Sequence, residues 1–192
     1  MGDGSDGTCE VKGVAFHTFL QALTDVRGAA AVDLAQAELP PELRQRLRHG
    51  GISRVGHYPM AEYSELHAAA QRALRGGEPL ARAIGKAATD IDTRGLLRFV
   101  LGLTSTDLLL RHAGKVWSSF ARGSSVGVQQ LAPRRYAVAF DGLEGASRLV
   151  FTELEGAIER LVERTGARQP EVRREGEGET ESASVRFQVS WQ

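Results

Sequence analysis

The stretch Val185-Arg186-Phe187-Gln188-Val189-Ser190-Trp191 decides the fold. Val185, Phe187, Val189 and Trp191 fall on one side, and Arg186, Gln188 and Ser190 on the other. That period of two marks a strand with one buried face. Working backwards, Arg174-Glu175-Gly176-Glu177-Gly178-Glu179-Thr180-Glu181 is an acidic, glycine-punctuated turn, and about Gln169–Arg174 reads as a preceding strand. Before these comes the clearest helix of the chain, Glu144–Thr165. Ala146, Leu149, Val150, Leu154, Ala157, Ile158, Leu161 and Val162 form one stripe on it. Glu153, Glu155, Glu159, Arg160, Glu163 and Arg164 are expected on the opposite, solvated face, paired at i, i+4 spacing. Ser125–Leu131 and Arg135–Phe140 flank Ala132-Pro133-Arg134 as a hairpin. The C-terminal third is therefore β-β-α-β-β, with the helix across one face of a four-stranded antiparallel sheet.

The remainder is helical. Phe16, Phe19, Leu20 and Leu23 recur at i, i+3, i+4, i+7. Ala29–Ala37 stops before Pro40-Pro41, and a short helix from Pro41 ends at Gly50-Gly51. Ile52–Tyr58 is irregular; Pro59 then opens Met60–Leu74, and Pro79 a helix to about Ile91. Leu96, Leu97, Val100 and Leu101 suggest another short helix. Leu108, Leu109, Val116, Trp117 and Phe120 suggest the last one before the sheet. Helices segregated from an antiparallel sheet define the α+β class. The expected organisation is a disordered leader over 1–10 and a single domain over 11–192, helical in 11–123 and β-β-α-β-β in 124–192.

Bulk properties narrow the function. With 192 residues, 24 Lys+Arg and 24 Asp+Glu, the net charge is zero. A dedicated nucleic-acid binder carries a basic excess, so that partner is not expected. The single cysteine, Cys9, permits neither an internal disulfide nor a thiolate metal cluster. Residues 1–7 lack the basic and apolar regions of a signal peptide, and no apolar run is long enough to span a membrane. The expectation is a cytoplasmic protein.

Reactive residue types are present but not assembled. His49, His57, His67 and His112 show no i, i+3 or i+4 pairing, so they read as structural and no metal site is expected. Ser118-Ser119 and Ser124-Ser125 lack the strand-to-helix elbow of a nucleophile and suit capping. Asp90, Asp92 and Arg94 carry no base-and-orienter constellation. Arg44, Arg46, Arg48 and Arg54 form a small basic patch without interleaved aromatics. The apolar candidates are Trp117 and Phe120, at i, i+3, with Tyr58 and Phe99; these four are the expected walls of a ligand pocket.

Three stretches carry a family resemblance, the third running from a helix into the sheet and taken with the last strand. They are Val11-Lys12-Gly13; Tyr58-Pro59 following Leu39-Pro40-Pro41-Glu42; and the run from Leu109-Leu110-Arg111 through Trp117 and Phe120 to Gly123, with Phe187–Trp191 at the end. In this order and spacing they resemble a myxobacterial protein family of uncharacterised function. That family more distantly resembles a ligand-binding superfamily of heme nitric oxide/oxygen sensors, 4-vinyl-reductase-type domains and TRAPP tethering subunits. The resemblance implies a helical layer on the β-β-α-β-β unit, an apolar pocket between them, and sensing or scaffolding in place of catalysis. Heme sensors of this kind use an axial histidine and a Tyr-x-Ser-x-Arg motif. Here His112 is the only histidine near the corresponding helix, Tyr63-Ser64 is followed by Glu65, and Tyr136 by Ala137. Nor does 179–191 hold the cysteines common in vinyl-reductase-type domains. Heme and other cofactors are therefore not expected.

Two functions follow from this reading. The first is a non-enzymatic sensory module holding a small apolar or aromatic ligand between helices and sheet. The second, by resemblance to TRAPP subunits, is a homodimeric scaffold whose Ala-rich helix faces, such as Ala68–Ala70, permit close helix packing.

Overall fold

A computed structural model describes residues 8–94, 104–176 and 183–192. Its order is β1 (Glu10–Lys12), α1 (Gly13–Arg27), α2 (Ala29–Ala37), α3 (Pro41–Arg48), β2 (His57–Pro59), α4 (Met60–Leu74) and α5 (Gly77–Asp92). Then come α6 (Thr106–Arg111), α7 (Ala113–Trp117), β3 (Ala121–Arg122), β4 (Ser125–Ala132), β5 (Arg135–Asp141), α8 (Arg148–Arg164), β6 (Glu171–Glu175) and β7 (Val185–Ser190). The chain is α+β, with helices first and a four-stranded antiparallel sheet of order β4-β5-β7-β6 last. The expected helix around Leu96–Leu101, Phe99, and most of the acidic turn lie outside the described residues.

Register places the alternating pattern of β7 against the core. Val185 faces Phe140, Phe187 faces Val138 and Val189 faces Tyr136 across β5. On the next strand Val126 lies opposite Phe140 and Val128 opposite Val138. These rows make one apolar face, and Phe187 and Val189 are fully buried in it. Tyr136 stacks on Trp191 with ring centroids 5.7 Å apart, and its hydroxyl donates to Asp107 on α6 at 2.5 Å.

The N-terminal residues depart from the sequence reading. Residues 10–12 form the centre of a second, three-stranded sheet, with Val11 opposite both Tyr58 and Ala121. The stretch read as irregular supplies β2 as one flank. Cys9 is not in a loose tail: it is 1% exposed, and its carbonyl accepts from the Met60 amide at 2.8 Å. Burial pushes its thiol pKa up.

Helix α8 runs from Ser147 at its N-cap position, with its first turn four residues after the expected start. The expectation of a solvated polar face is corrected at two positions, because Glu153 and Glu155 are buried. The reason is that α8 is sandwiched. It contacts β6 and β7 on one side and lies along α5 on the other. Two glycines allow that approach. A Cβ on Gly85 of α5 would stand 2.0 Å from the Glu153 carbonyl oxygen, and one on Gly156 of α8 would stand 2.2 Å from the Arg82 carbonyl oxygen. Backbone therefore meets backbone at both crossing points.

Beside this contact the two helices exchange ions. Arg82 reaches Glu155 at 2.9 Å and Glu159 at 2.8 Å, Lys86 reaches Glu159 at 2.5 Å, and Asp90 receives Arg160 at 2.7 Å and Arg164 at 2.5 Å. The α8 glutamates thus pair across to α5, not chiefly along their own helix. Burial alone would raise the Asp90 carboxyl, but hydrogen bonds and charge from Arg160 and Arg164 hold it below its ordinary value. Glu159 is likewise lowered against the pull of burial, by Lys86 and Arg82. Glu155 goes the other way: burial raises it despite Arg174 and Arg82.

Gly85→Ala should destabilise the protein by about 1–3 kcal/mol in chemical denaturation, although alanine is the better helix former. Gly127→Ala, where nothing lies within 4 Å of the added carbon, should stay within about 0.5 kcal/mol. Equal effects would remove the case for the tight crossing. The ion pairs also set an acid limb. A carboxyl lowered in the folded state stabilises above its unfolded pKa and loses that contribution as pH falls through the folded one. Asp90→Asn should therefore lower the melting temperature at pH 7, with the gap to wild type closing as pH drops below about 4, the ordinary carboxylate value.

Candidate functional site

Between the helical layer and the sheet lies a half-enclosed cavity of about 280 Å³. Its size is near the lower end of small-molecule sites, about 300–1,000 Å³. The sheet contributes Val126, Val138 and Phe140. From α8 come Val150, Leu154, Ala157 and Leu161, the stripe read in the sequence. Leu110, Val116, Trp117 and Phe120 close the side formed by α6, α7 and the residues after them. Trp117 is held in place at both ends of its ring: it meets Phe140 edge-to-face at 5.0 Å, and its Nε1–H donates to Ser124 Oγ at 2.9 Å.

One end of the wall is polar. It is built by Thr18 of α1, Tyr63 of α4, Thr89 and Asp92 of α5, Thr93 just beyond that helix, and Glu153 of α8. Glu153 is the hub. Its carboxylate accepts from the Tyr63 hydroxyl at 2.7 and 2.9 Å and lies 2.9 Å from His67 Nε2. All three residues are buried. Burial, with the charge and hydrogen bond of Glu153, keeps the Tyr63 hydroxyl protonated by pushing its pKa well up. The rings of Phe16 and Phe19 pack edge-on against Tyr63, and Phe19 also against His67 at 4.7 Å. Asp92 is exposed and accepts from Thr18 Oγ1 at 3.1 Å. Desolvation of its carboxyl raises the pKa, against the Thr18 hydrogen bond that lowers it.

Of the four residues expected to wall a pocket, Trp117 and Phe120 line this cavity. Tyr58 does not: its ring packs on Phe16 in the small-sheet region, and its hydroxyl accepts from the Ser53 amide at 2.7 Å. Phe99 lies outside the described residues. Met60, Tyr63, Asp92 and Glu153 were missed. A signal for Glu153 existed, because it lies three residues after Val150 and four before Ala157, on the apolar stripe itself. Tyr63 and His67 likewise share one face of α4 at i, i+4. The other candidates have structural partners: Ser118 and Ser119 bond backbone carbonyls in the preceding turn, Asp90 is held by α8, and Arg46 pairs with Glu62 at 2.6 Å. Among the described residues, no group of three or more His, Cys, Asp and Glu could hold a metal ion, and no helix is long and apolar enough to cross a membrane.

A family model described as "protein of unknown function (DUF2378)" matches residues 11–192. The chain belongs to this family. A search of curated proteins finds no match. Solved structures do share the fold. The Fe(II) unliganded H-NOX protein from K. algicida is similar with a TM-score of 0.69 at 16% identity, covering 94% of this chain and 96% of that one. An oxygen-binding H-NOX domain related to soluble guanylate cyclases, solved as its oxygen complex, gives 0.65 at 14% identity, covering 94% and 95%. A point mutant of the T. tengcongensis H-NOX gives 0.65 at 13%, covering 94% and 97%. The DUF2378 chain therefore has an H-NOX-like fold.

This likeness corrects the expectation that the chain takes no cofactor. Similar structures are H-NOX domains, described with Fe(II), bound oxygen or heme distortion, so heme stands as a candidate occupant. The donor chemistry of the described wall is the test of fit. Heme iron is held by histidine, cysteine, methionine or tyrosine. The wall has Met60 and Tyr63, but the Tyr63 hydroxyl is engaged by Glu153, and no histidine stands on the described wall. His112, between α6 and α7, is exposed. The residues as placed do not fit a heme held by an axial imidazole.

The buried hub carries a stability cost when broken. Glu153→Ala leaves Tyr63 and His67 without their shared partner and should destabilise by about 1–3 kcal/mol for each buried group left unsatisfied. Tyr63→Phe removes one donor and should cost about 1 kcal/mol. Urea unfolding of both variants decides this, and equal small losses would mean that the hub is not a buried network.

Proposed function

We propose that this DUF2378 chain is a non-enzymatic sensory or ligand-binding domain, and that a small apolar molecule occupies the cavity between the helical layer and the sheet. The observation that carries the reading is the cavity itself. Its wall is mostly aliphatic and aromatic, with polar groups gathered at one end, the usual make-up of a small-molecule site. The shared fold with H-NOX domains supports a sensory role. No nucleophile with a base and an orienting partner stands on the described wall, so the reading is binding without chemistry.

The geometry also suggests how occupancy is read out. Ala157, Leu161 and Glu153 of α8 touch the cavity, and so do Gly85 and Thr89 of α5. An occupant would press on the two helices whose crossing has no slack. Differential affinity for two arrangements of that crossing is what sensing requires.

Native mass spectrometry of the purified chain, with an absorbance scan before and after adding hemin, tests the proposal. The expected result is a co-purifying or added small molecule that is lost in Ala157→Trp, which fills the cavity from α8. A Soret band abolished by Ala157→Trp would make heme that molecule. Binding that survives Ala157→Trp unchanged would place the ligand elsewhere and overturn the reading.

A further inference from the structure

The proposed ligand can be narrowed by asking which hydrogen-bonding capacity the cavity has left. Each side-chain donor on its described wall is already used. Thr18 gives its hydroxyl proton to Asp92 at 3.1 Å and Tyr63 gives its own to Glu153. Thr89 donates to the Gly85 carbonyl at 2.9 Å, Thr93 to the Thr89 carbonyl at 2.6 Å, and Trp117 to Ser124 at 2.9 Å. What remains toward an occupant is acceptor capacity: hydroxyl lone pairs and carboxylate oxygens.

The charges agree. Asp92 and Glu153 are the only charged residues on the described wall, and both are acidic. Glu153 is engaged by Tyr63 and His67, whereas Asp92 has a single side-chain donor on this wall, Thr18. Asp92 is also the more exposed of the two residues, although its carboxyl is partly desolvated. A ligand bearing an acid would bring a third negative charge to this end, where no side-chain donor on the described wall is left for it. Arg54, off that wall, offsets the Asp92 charge only through its field. A ligand bearing an amine would supply the protons that the two carboxylates can still accept.

We propose that the cavity takes an apolar molecule with a protonated amine, its body against Val138, Phe140, Leu154 and Trp117 and its ammonium group on the Asp92 carboxylate. This rests on the ligand-binding reading above and adds the head-group chemistry. Charge-assisted hydrogen bonds at a partly dry site are the strong kind, and an unpaired charge or donorless acid there is penalised.

Three compounds with one hydrocarbon cage test it: adamantan-1-amine, adamantan-1-ol and adamantane-1-carboxylate, titrated calorimetrically into the full chain at pH 7. The amine should bind at least about tenfold tighter than the carboxylate, with the alcohol between them. Asp92→Asn should weaken the amine by about tenfold and leave the alcohol unchanged. Alcohol binding with no preference for the amine, or amine binding indifferent to Asp92→Asn, overturns the amine proposal and leaves the cavity reading standing. Failure of all three compounds to bind, together with a negative mass-spectrometric search, overturns both.

Discussion

The rest of the structure depends on the crossing of α5 and α8. Helix axes normally stand about 8–10 Å apart because side chains keep them there. At Gly85 and Gly156 nothing intervenes between one backbone and the other. The contact fixes the height of α5 over the sheet, since α8 is the layer that rests on β6 and β7. The ion pairs from Arg82, Lys86 and Asp90 run beside the crossing and set its register along the helix axes. Ion pairs of this exposure add little individually. Their value is positional, because each α5 partner meets its α8 counterpart only in one alignment.

The cavity follows from that geometry. Where the helices touch through glycines the layer is tight. Beyond the crossing, toward α6, α7 and the β4 edge, the wall is made of Leu154, Ala157, Val116 and Phe120, which leave space between layers. The hub at Glu153 belongs to both regions: its carbonyl receives Gly85, while its carboxylate gathers Tyr63 and His67 from α4. One residue thus joins the sheet-side helix to two helices of the other layer, and it does so at the border of the cavity.

How much of this is legible in the sequence depends on whether the deciding forces are local. The alternation of β7 and the stripe of α8 are local, and both elements stand where the pattern puts them. The start of α8 moves from Glu144 to Arg148 because the Ser147 amide is held by Ser64 Oγ at 2.9 Å, a partner far away in the chain. The polar face of α8 misleads for the same reason. Charge on a helix looks like solvent exposure until another helix supplies the counter-charges. Strands β1, β2 and β3 are two or three residues long and carry no periodicity to detect. Of the cavity, Trp117 and Phe120 can be found from size and spacing. Tyr58 fails because its hydroxyl is claimed by the Ser53 backbone, which only the fold brings near.

The small sheet has a consequence for how the chain comes together. Its central strand lies at the beginning of the described chain, yet one neighbour comes only after three helices, at Tyr58, and the other arrives only at Ala121. Closing such distant pairings is slow, because loop entropy is lost before any contact rewards it. During synthesis, residues 10–12 keep one edge bare until residues 121–122 have been made. A chain cut between the layers would leave β1 without β3 and the Gly85 crossing without its partner. Of the two pairings that build the small sheet, the one with β3 closes the longer stretch of chain and so loses more loop entropy.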